Sequence, residues 1–422
     1  MDWVAEWTTR LQLHFVTQIQ LLVSPRSGER SYSLAFEQFL VHTIYLDHST
    51  TTPLAASVRE AMLPFLQNMY GHPSSNHWMG RVAAEAIEDS RSCLSTLLDC
   101  HPNELIFTSG GTESVNLALL GVGRSIRAKL ERPHCITTNL EHAAVRGAIA
   151  QLQREGWSVT VVPCDANGLI NPANIQRALQ DNTKLISVTH ASYEIGTIQP
   201  LAEIAEACHD RDLFIHTDAA QTVGKIECNP QELGVDLLSL SGHKFYGPKG
   251  VGALYVRTGV PIDSIMYGEG YESGLRPGTP SVSHIAGLGQ AAKLAQAGLS
   301  SSIDRVSELR DRLHDDVQRL IGVPIIIHGH NVARVPGILS IELPGIIAEE
   351  LAQRLPEICF GPFAPKHTSP NETTPCLWTS LGLAAHRRIS TVRISIGWST
   401  SADELIQAAQ MIAAAYESMV QA

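Results

Sequence analysis

Positive charge is scarce in this sequence and nowhere gathered. The 422 residues hold 31 Lys and Arg against 42 Asp and Glu, a formal net charge of −11, which speaks against a nucleic-acid surface. The eight cysteines are scattered and never fall at C-x-x-C spacing, so neither a zinc site nor a disulfide scaffold is indicated and a reducing, cytoplasmic setting is expected. Internal repeats and low-complexity tracts are absent. So is any apolar run of about 20 residues, and no membrane span is expected. The N-terminal run LQLHFVTQIQLLV is broken by Gln, His and Thr, and it lacks the basic start and small-residue cleavage site of a signal peptide. What is present is a 44% hydrophobic fraction, ample for a large core and for more than one domain.

Three segments concentrate chemistry. In DLLSLSGHKFYGPKGVGALYVR, Lys244 sits in a polar turn between two apolar runs. An amine in such a place forms an imine readily once desolvation or a neighbouring positive charge lowers its pKa, and His243 and the flanking strand ends are placed to supply both. Alone, Lys244 reads better as a surface lysine in a glycine-rich turn, and the other segments tip the balance. In IHTDAAQTVGK, a strand delivers Asp218 and Gln221 into a small-residue turn; Asp218 there either faces a cofactor or caps the next helix. In LIFTSGGTESVNLALLGVG, a strand runs through Gly110 and Gly111 into a helix opening near Thr112. Glycines admit an anion to the backbone, and free N–H groups and the helix dipole favour it there. No Walker lysine follows these glycines and no G-x-G-x-x-G stands here, so a nucleotide is poorly supported.

In this order the segments resemble the cysteine desulfurase and selenocysteine lyase family, within the class V aminotransferase-like, fold type I enzymes that use pyridoxal phosphate. The likeness runs from YLDHSTTTP through GHPSSNHWMG, IFTSGGTES, NLEHAAV, EIGTIQP, HTDAAQTVGK, SGHKFYGPKGVGALYVR and LRPGTPSV to VRISIG. It implies Lys244 as the imine lysine, Asp218 on the ring nitrogen, Gln221 near the phenolic oxygen and His142 stacked on the ring. Thr112, at the Gly111 turn, would hold the phosphate with Ser241 and His243. Thr279 in RPGT would reach the phosphate of the neighbouring subunit in a homodimer. Arg393 would clamp the substrate's α-carboxylate, work suited to a planar bidentate donor. From the alternating V-R-I-S-I, Arg393 lies on a strand with one buried face, and a buried arginine needs an anion.

Departures from the family pattern bear on the reaction. The mobile-loop cysteine that carries sulfur as a persulfide falls on Lys366 in GPFAPKHTSP. Cys359, between Ile and Phe, reads as a buried strand thiol, and Cys376 in SPNETTPCLW is the better substitute carrier. Tyr193 in HASYEIGT replaces the usual asparagine; it would narrow the substrate pocket, fill space under the sheet, or act as an acid or base if its pKa were lowered. His72 and Trp398 also depart, near the expected rim. The expectation is cleavage of a C–S or C–Se bond in L-cysteine or an S-substituted cysteine, by β-elimination because the loop cysteine is replaced. Three alternatives remain: a cysteine desulfurase using Cys376 with a sulfur-acceptor protein, an aminotransferase or racemase, and a non-catalytic coenzyme-binding regulator.

For the fold, ELIFTS, HCITTN, VTVVP, LISVTH, LFIHTD, DLLSLS and GALYVR alternate with helical patterns, which predicts an α/β architecture with a mostly parallel seven-stranded sheet and the site at its carboxyl edge. Expected boundaries are a helical N-terminal extension over 1–42, a large coenzyme-binding domain over 43–290, and a smaller α+β domain over 291–422 that includes part of the N-terminal segment. LAQAGLSSSIDRVSELRDRLHDDVQRL reads as a helix leading into it, with VPIIIHG, GILSIEL and TVRISIG as its strands.

Overall fold

The computed structural model describes residues 43–362 and 376–421. The expected helix over 1–42 and Lys366 therefore lie outside the described residues. The described residues open with β1 (Ile44–Tyr45) and then a helix, Ala56–Gln67, before the helix Trp78–Leu98. All seven predicted strands form and join in one sheet: β2 (Leu105–Thr108), β3 (His134–Thr138), β4 (Ser158–Val162), β5 (Thr183–Ser187), β6 (Phe214–Asp218), β7 (Leu237–Ser241) and β8 (Gly252–Val256). Their order is β2-β8-β7-β6-β5-β3-β4. β8 alone runs antiparallel to its neighbours, so the carboxyl ends of β2, β3, β5, β6 and β7 share one edge. β3 and β7 are buried at every position, as strands covered on both faces must be.

A second sheet, antiparallel throughout, has the order β12-β13-β10-β9, where β9 is Ile326–Ile327, β10 Ile338–Glu342, β12 Gly361–Pro362 and β13 Thr391–Ser395. β11 (Ile358–Cys359) pairs in parallel with β1. The helix Val282–Ile321 links the two halves. Near its start Ile285, Leu288, Ala291 and Ala292 enter the core under the large sheet, and near its end Val306, Leu313 and Val317 enter the core of the small one.

The segment after β1 staples the two sheets together. Asp47 bridges to Ser395 on β13, Ser49 N donates to Ser395 Oγ at 2.9 Å, and Thr52 N donates to the His243 carbonyl at 2.9 Å. The end of β7 and the middle of β13 are thereby brought to one place.

Candidate active site

Lys244 follows β7 in a one-turn 3-10 helix, Gly242–Lys244. Its Nζ donates to the carbonyls of Ser49 at 2.6 Å and Thr50 at 2.8 Å. Burial, then the field of Arg393, pulls the ammonium from 10.5 down to about 8, against the opposing pull of Asp218 and Asp47. The expected desolvation is present. The positive neighbour is Arg393 rather than the adjacent His243, because burial pushes that imidazole down to about 4 and leaves it neutral.

Asp218 ends β6 and is buried. Oδ1 accepts from Ala220 N at 3.0 Å, the local turn bond that a capping aspartate makes, while Oδ2 has no hydrogen-bond partner among the described residues. Burial raises its pKa, opposed by the Ala220 amide and the fields of His142 and Lys244. His142 begins the helix Ala143–Arg154 with Nδ1 accepting from Ala144 N at 3.1 Å. Its ring meets that of Tyr193 edge-on, 5.8 Å between centroids at 82°, and burial lowers its pKa.

After β2 the backbone turns at Gly110 with φ 146°, a conformation L side chains rarely adopt, and enters the helix beginning at Gly111. A Cβ on Gly111 would lie 3.4 Å from Ser241 Cβ, so the end of β7 closes against the first helical turn. Ser241 is a buried residue, yet its hydroxyl has no hydrogen-bond partner among the described residues, nor has the exposed Thr112 hydroxyl. His243 Nδ1 is engaged with Thr51 Oγ1 at 3.0 Å. Unpaired hydroxyls at a helix start, and a buried carboxylate with one oxygen free of hydrogen bonds, are the features a phosphorylated pyridine would satisfy. The residues fit pyridoxal phosphate.

Gln221 is tied on both ends: Nε2 donates to the Ser49 carbonyl at 2.8 Å and Oε1 accepts from Lys225 Nζ at 3.1 Å. Arg393, buried on β13, donates to the Tyr193 carbonyl at 3.1 Å, Asp47 Oδ1 at 3.0 Å and Thr50 Oγ1 at 2.7 Å. The anion demanded by a buried arginine is supplied within the chain by Asp47. Tyr193 joins this group through its backbone and His142 through its ring. Burial and Glu194 raise its phenol rather than lower it, which removes the acid–base role from the three readings of this residue.

Other predicted positions are not drawn in. Thr279 is exposed beside His72, Oγ1 to Nε2 3.5 Å, and His72 also meets Tyr271. Trp398 packs against Tyr246, the ring planes tilted by 41° with centroids 4.1 Å apart. Cys359 lies on β11, half-buried, its thiol raised by burial and Asp47. Cys376 precedes the short helix Leu377–Ser380, with Sγ 3.3 Å from Thr379 Oγ1.

Asp47, Lys225 and Glu141 were given no role by the sequence reading, although each lies inside a motif it used. Glu141 is fully buried beside His142; Oε1 accepts from Thr138 Oγ1 at 2.7 Å and Thr189 N at 2.9 Å, and burial pushes the carboxyl up to about 8.

Known proteins resemble this chain in sequence and in fold. The family model described as aminotransferase class-V matches residues 44–407. A cysteine desulfurase IscS of Dictyoglomus turgidum is 42% identical over 312 residues, 74% of this chain and 78% of that protein. The cysteine desulfurase IscS of Vibrio cholerae serotype O1 (strain M66-2) is 37% identical over 381 residues, 89% of this chain and 93% of that protein. A solved structure described as a NifS-like protein superimposes with a TM-score of 0.81 at 31% identity, covering 88% of this chain and 98% of the other.

Proposed function

The chain belongs to the class-V aminotransferase family, and from that premise we propose that it cleaves the C–S or C–Se bond of L-cysteine or an S-substituted cysteine by β-elimination. It is a pyridoxal phosphate-dependent enzyme of the cysteine desulfurase type. The observation that carries the reading is the Lys244 amine, buried at the carboxyl edge of the sheet and held near its proton-losing range at about 8.

Bound at this site, pyridoxal phosphate supplies an electron sink that stabilises negative charge at the substrate's α-carbon. The chain's own groups do the rest. Thr112, Ser241 and His243, with the amides of Gly111 and Thr112, hold the phosphate against the helix start. Asp218 presents its open oxygen to the ring nitrogen and keeps a proton there, His142 covers the ring, and Gln221 offers its amide N–H to the phenolic oxygen. Arg393 binds the α-carboxylate, with Asp47 and the Tyr193 carbonyl fixing the plane of the guanidinium. Lys244 would take the α-proton as a general base. Tyr193 bounds the pocket between His142 and Arg393. L-Cysteine and water then give pyruvate, ammonia and hydrogen sulfide.

β-Elimination is favoured over persulfide transfer because Lys366 stands at the carrier's position, bringing a cation and no sulfur nucleophile. Thr279 is assigned to the phosphate of the neighbouring subunit in a cytoplasmic homodimer. The names of the relatives favour the second reading, a cysteine desulfurase passing sulfur from Cys376 to an acceptor protein. Product analysis separates the two. Pyruvate with free sulfide, undiminished by Cys376→Ser, supports elimination; alanine with protein-bound sulfur that Cys376→Ser abolishes overturns it.

A further inference from the structure

Among the described residues near the site, Lys225 is a half-buried ammonium, enclosed around its charged end, to which the reaction assigns nothing. It follows β6 in the turn after Gln221, and its direction is set by Gly224, whose φ is +74° and whose added Cβ would come within 2.7 Å of Phe245 Cβ. A residue with a side chain at 224 would be strained and would displace Phe245. Nζ donates to Gln221 Oε1 at 3.1 Å, Gln221 Nε2 donates to the Ser49 carbonyl at 2.8 Å, and the same carbonyl accepts from Lys244 Nζ at 2.6 Å.

We propose that Lys225 is a positioning residue of this site: its ammonium locks Gln221 with the amide oxygen turned away and the amide nitrogen turned toward Ser49 and Lys244. The argument is one of hydrogen-bond inventory. An ammonium only donates, so it can bind only the oxygen end of the amide, and a carbonyl only accepts, so Ser49 can bind only the nitrogen end. Between these two partners the amide has one orientation. Its second N–H is then left to face the site as a donor. Without Lys225 the amide oxygen loses its donor, and only the single bond to the Ser49 carbonyl still orients the group.

The charge matters as well as the bond. No carboxylate pairs with Lys225 among the described residues, and the groups whose fields couple with it are Lys244 and His243 after β7, His48 after β1 and Arg393 on β13. Burial and the fields of Lys244 and Arg393 lower its pKa to about 7. An unpaired buried ammonium works against the fold, so its presence calls for another reason.

The inference rests on the coenzyme reading above, and its test is chosen to separate the two. Lys225→Met removes both donor and charge; because no buried carboxylate is orphaned, the variant folds. Lys225→Arg keeps both, and a cavity of about 50 Å³ lined by Lys225, His48, Tyr246 and Trp398 gives the guanidinium room. In the coenzyme-loaded enzyme, the pH at which the visible absorption band of the lysine-bound coenzyme changes should rise in Lys225→Met by up to about one unit, since loosening the Gln221 donor at the phenolic oxygen and losing the partial positive charge of Lys225 both favour the protonated form. Lys225→Arg should stay near wild type. A Met variant that titrates with the wild type overturns the inference and leaves the coenzyme reading standing. If the wild type takes up no coenzyme, that reading fails, and the second measurement decides alone: in the coenzyme-free protein, the side-chain amide of Gln221, followed by glutamine-selective ¹⁵N labelling, should lose protection from solvent exchange in Lys225→Met. Unchanged protection refutes the positioning role.

Discussion

Replacing Lys244 by Met should make the coenzyme-free protein more stable at neutral pH while ending its activity. The ammonium is buried and repelled by Arg393, which takes its pKa from 10.5 to about 8. At ~1.4 kcal/mol per pH unit, that gap amounts to about 3 kcal/mol against the fold. Methionine gives up the bonds to the Ser49 and Thr50 carbonyls. Ser49 keeps its bond from Gln221, so one carbonyl is left bare at about 1 kcal/mol, and the net gain is about 2 kcal/mol. The sign with pH follows from the lowered value. Above 10.5 the amine is neutral folded and unfolded; stability is lost as pH falls from 10.5 toward about 8, and the loss is complete below it. The advantage of Met is therefore full at neutral pH and gone near pH ~10. Urea unfolding of the coenzyme-free proteins at both pH values measures it. A variant no more stable than wild type at neutral pH, or a gain that does not shrink in alkali, would refute a desolvated, repelled ammonium at this position.

Arg393→Lys replaces a planar fork by a point charge and should lower kcat/KM for L-cysteine by about 10- to 100-fold, the worth of one charge-assisted hydrogen bond of ~1.5–3 kcal/mol. A substrate analogue lacking the carboxylate should show no such loss; an equal loss for both would detach Arg393 from carboxylate binding. Tyr193→Phe should leave the shape of the pH–rate profile unaltered from neutral to mildly alkaline conditions, because burial and Glu194 hold the phenol protonated throughout. A limb that disappears in the variant would restore the acid–base role.

Much of the site was legible because its parts are local. Lys244, Asp218 and the Gly110 turn each end a strand, and apolar runs mark strands well when both faces are buried. All seven strands of the large sheet form where the pattern places them, and the helix read over 294–320 forms but begins earlier, at Val282. What the sequence hid were partners distant along the chain. A buried arginine announces its need for an anion, but nothing local says whether a substrate or a carboxylate 346 residues away meets it; in the fold Asp47 does so, together with Thr50. Adjacency also misled. His243 neighbours Lys244 in the chain and was the natural source of positive charge, yet burial keeps it neutral and the charge comes from β13. Lys225, four residues beyond Gln221, looks like an ordinary turn lysine until the fold closes over it. Tyr193 gave three readings because a phenol's pKa depends on what covers it, which only the packed structure shows.

The central claim is that the Lys244 amine bonds covalently to pyridoxal phosphate, and borohydride reduction of the coenzyme-loaded protein followed by peptide mapping tests it most directly. The account predicts a visible absorption band that reduction abolishes and a single modified peptide with the coenzyme's mass on Lys244. A protein that stays colourless with added coenzyme, or a label found on Lys225 or another lysine with Lys244 unmodified, would contradict it.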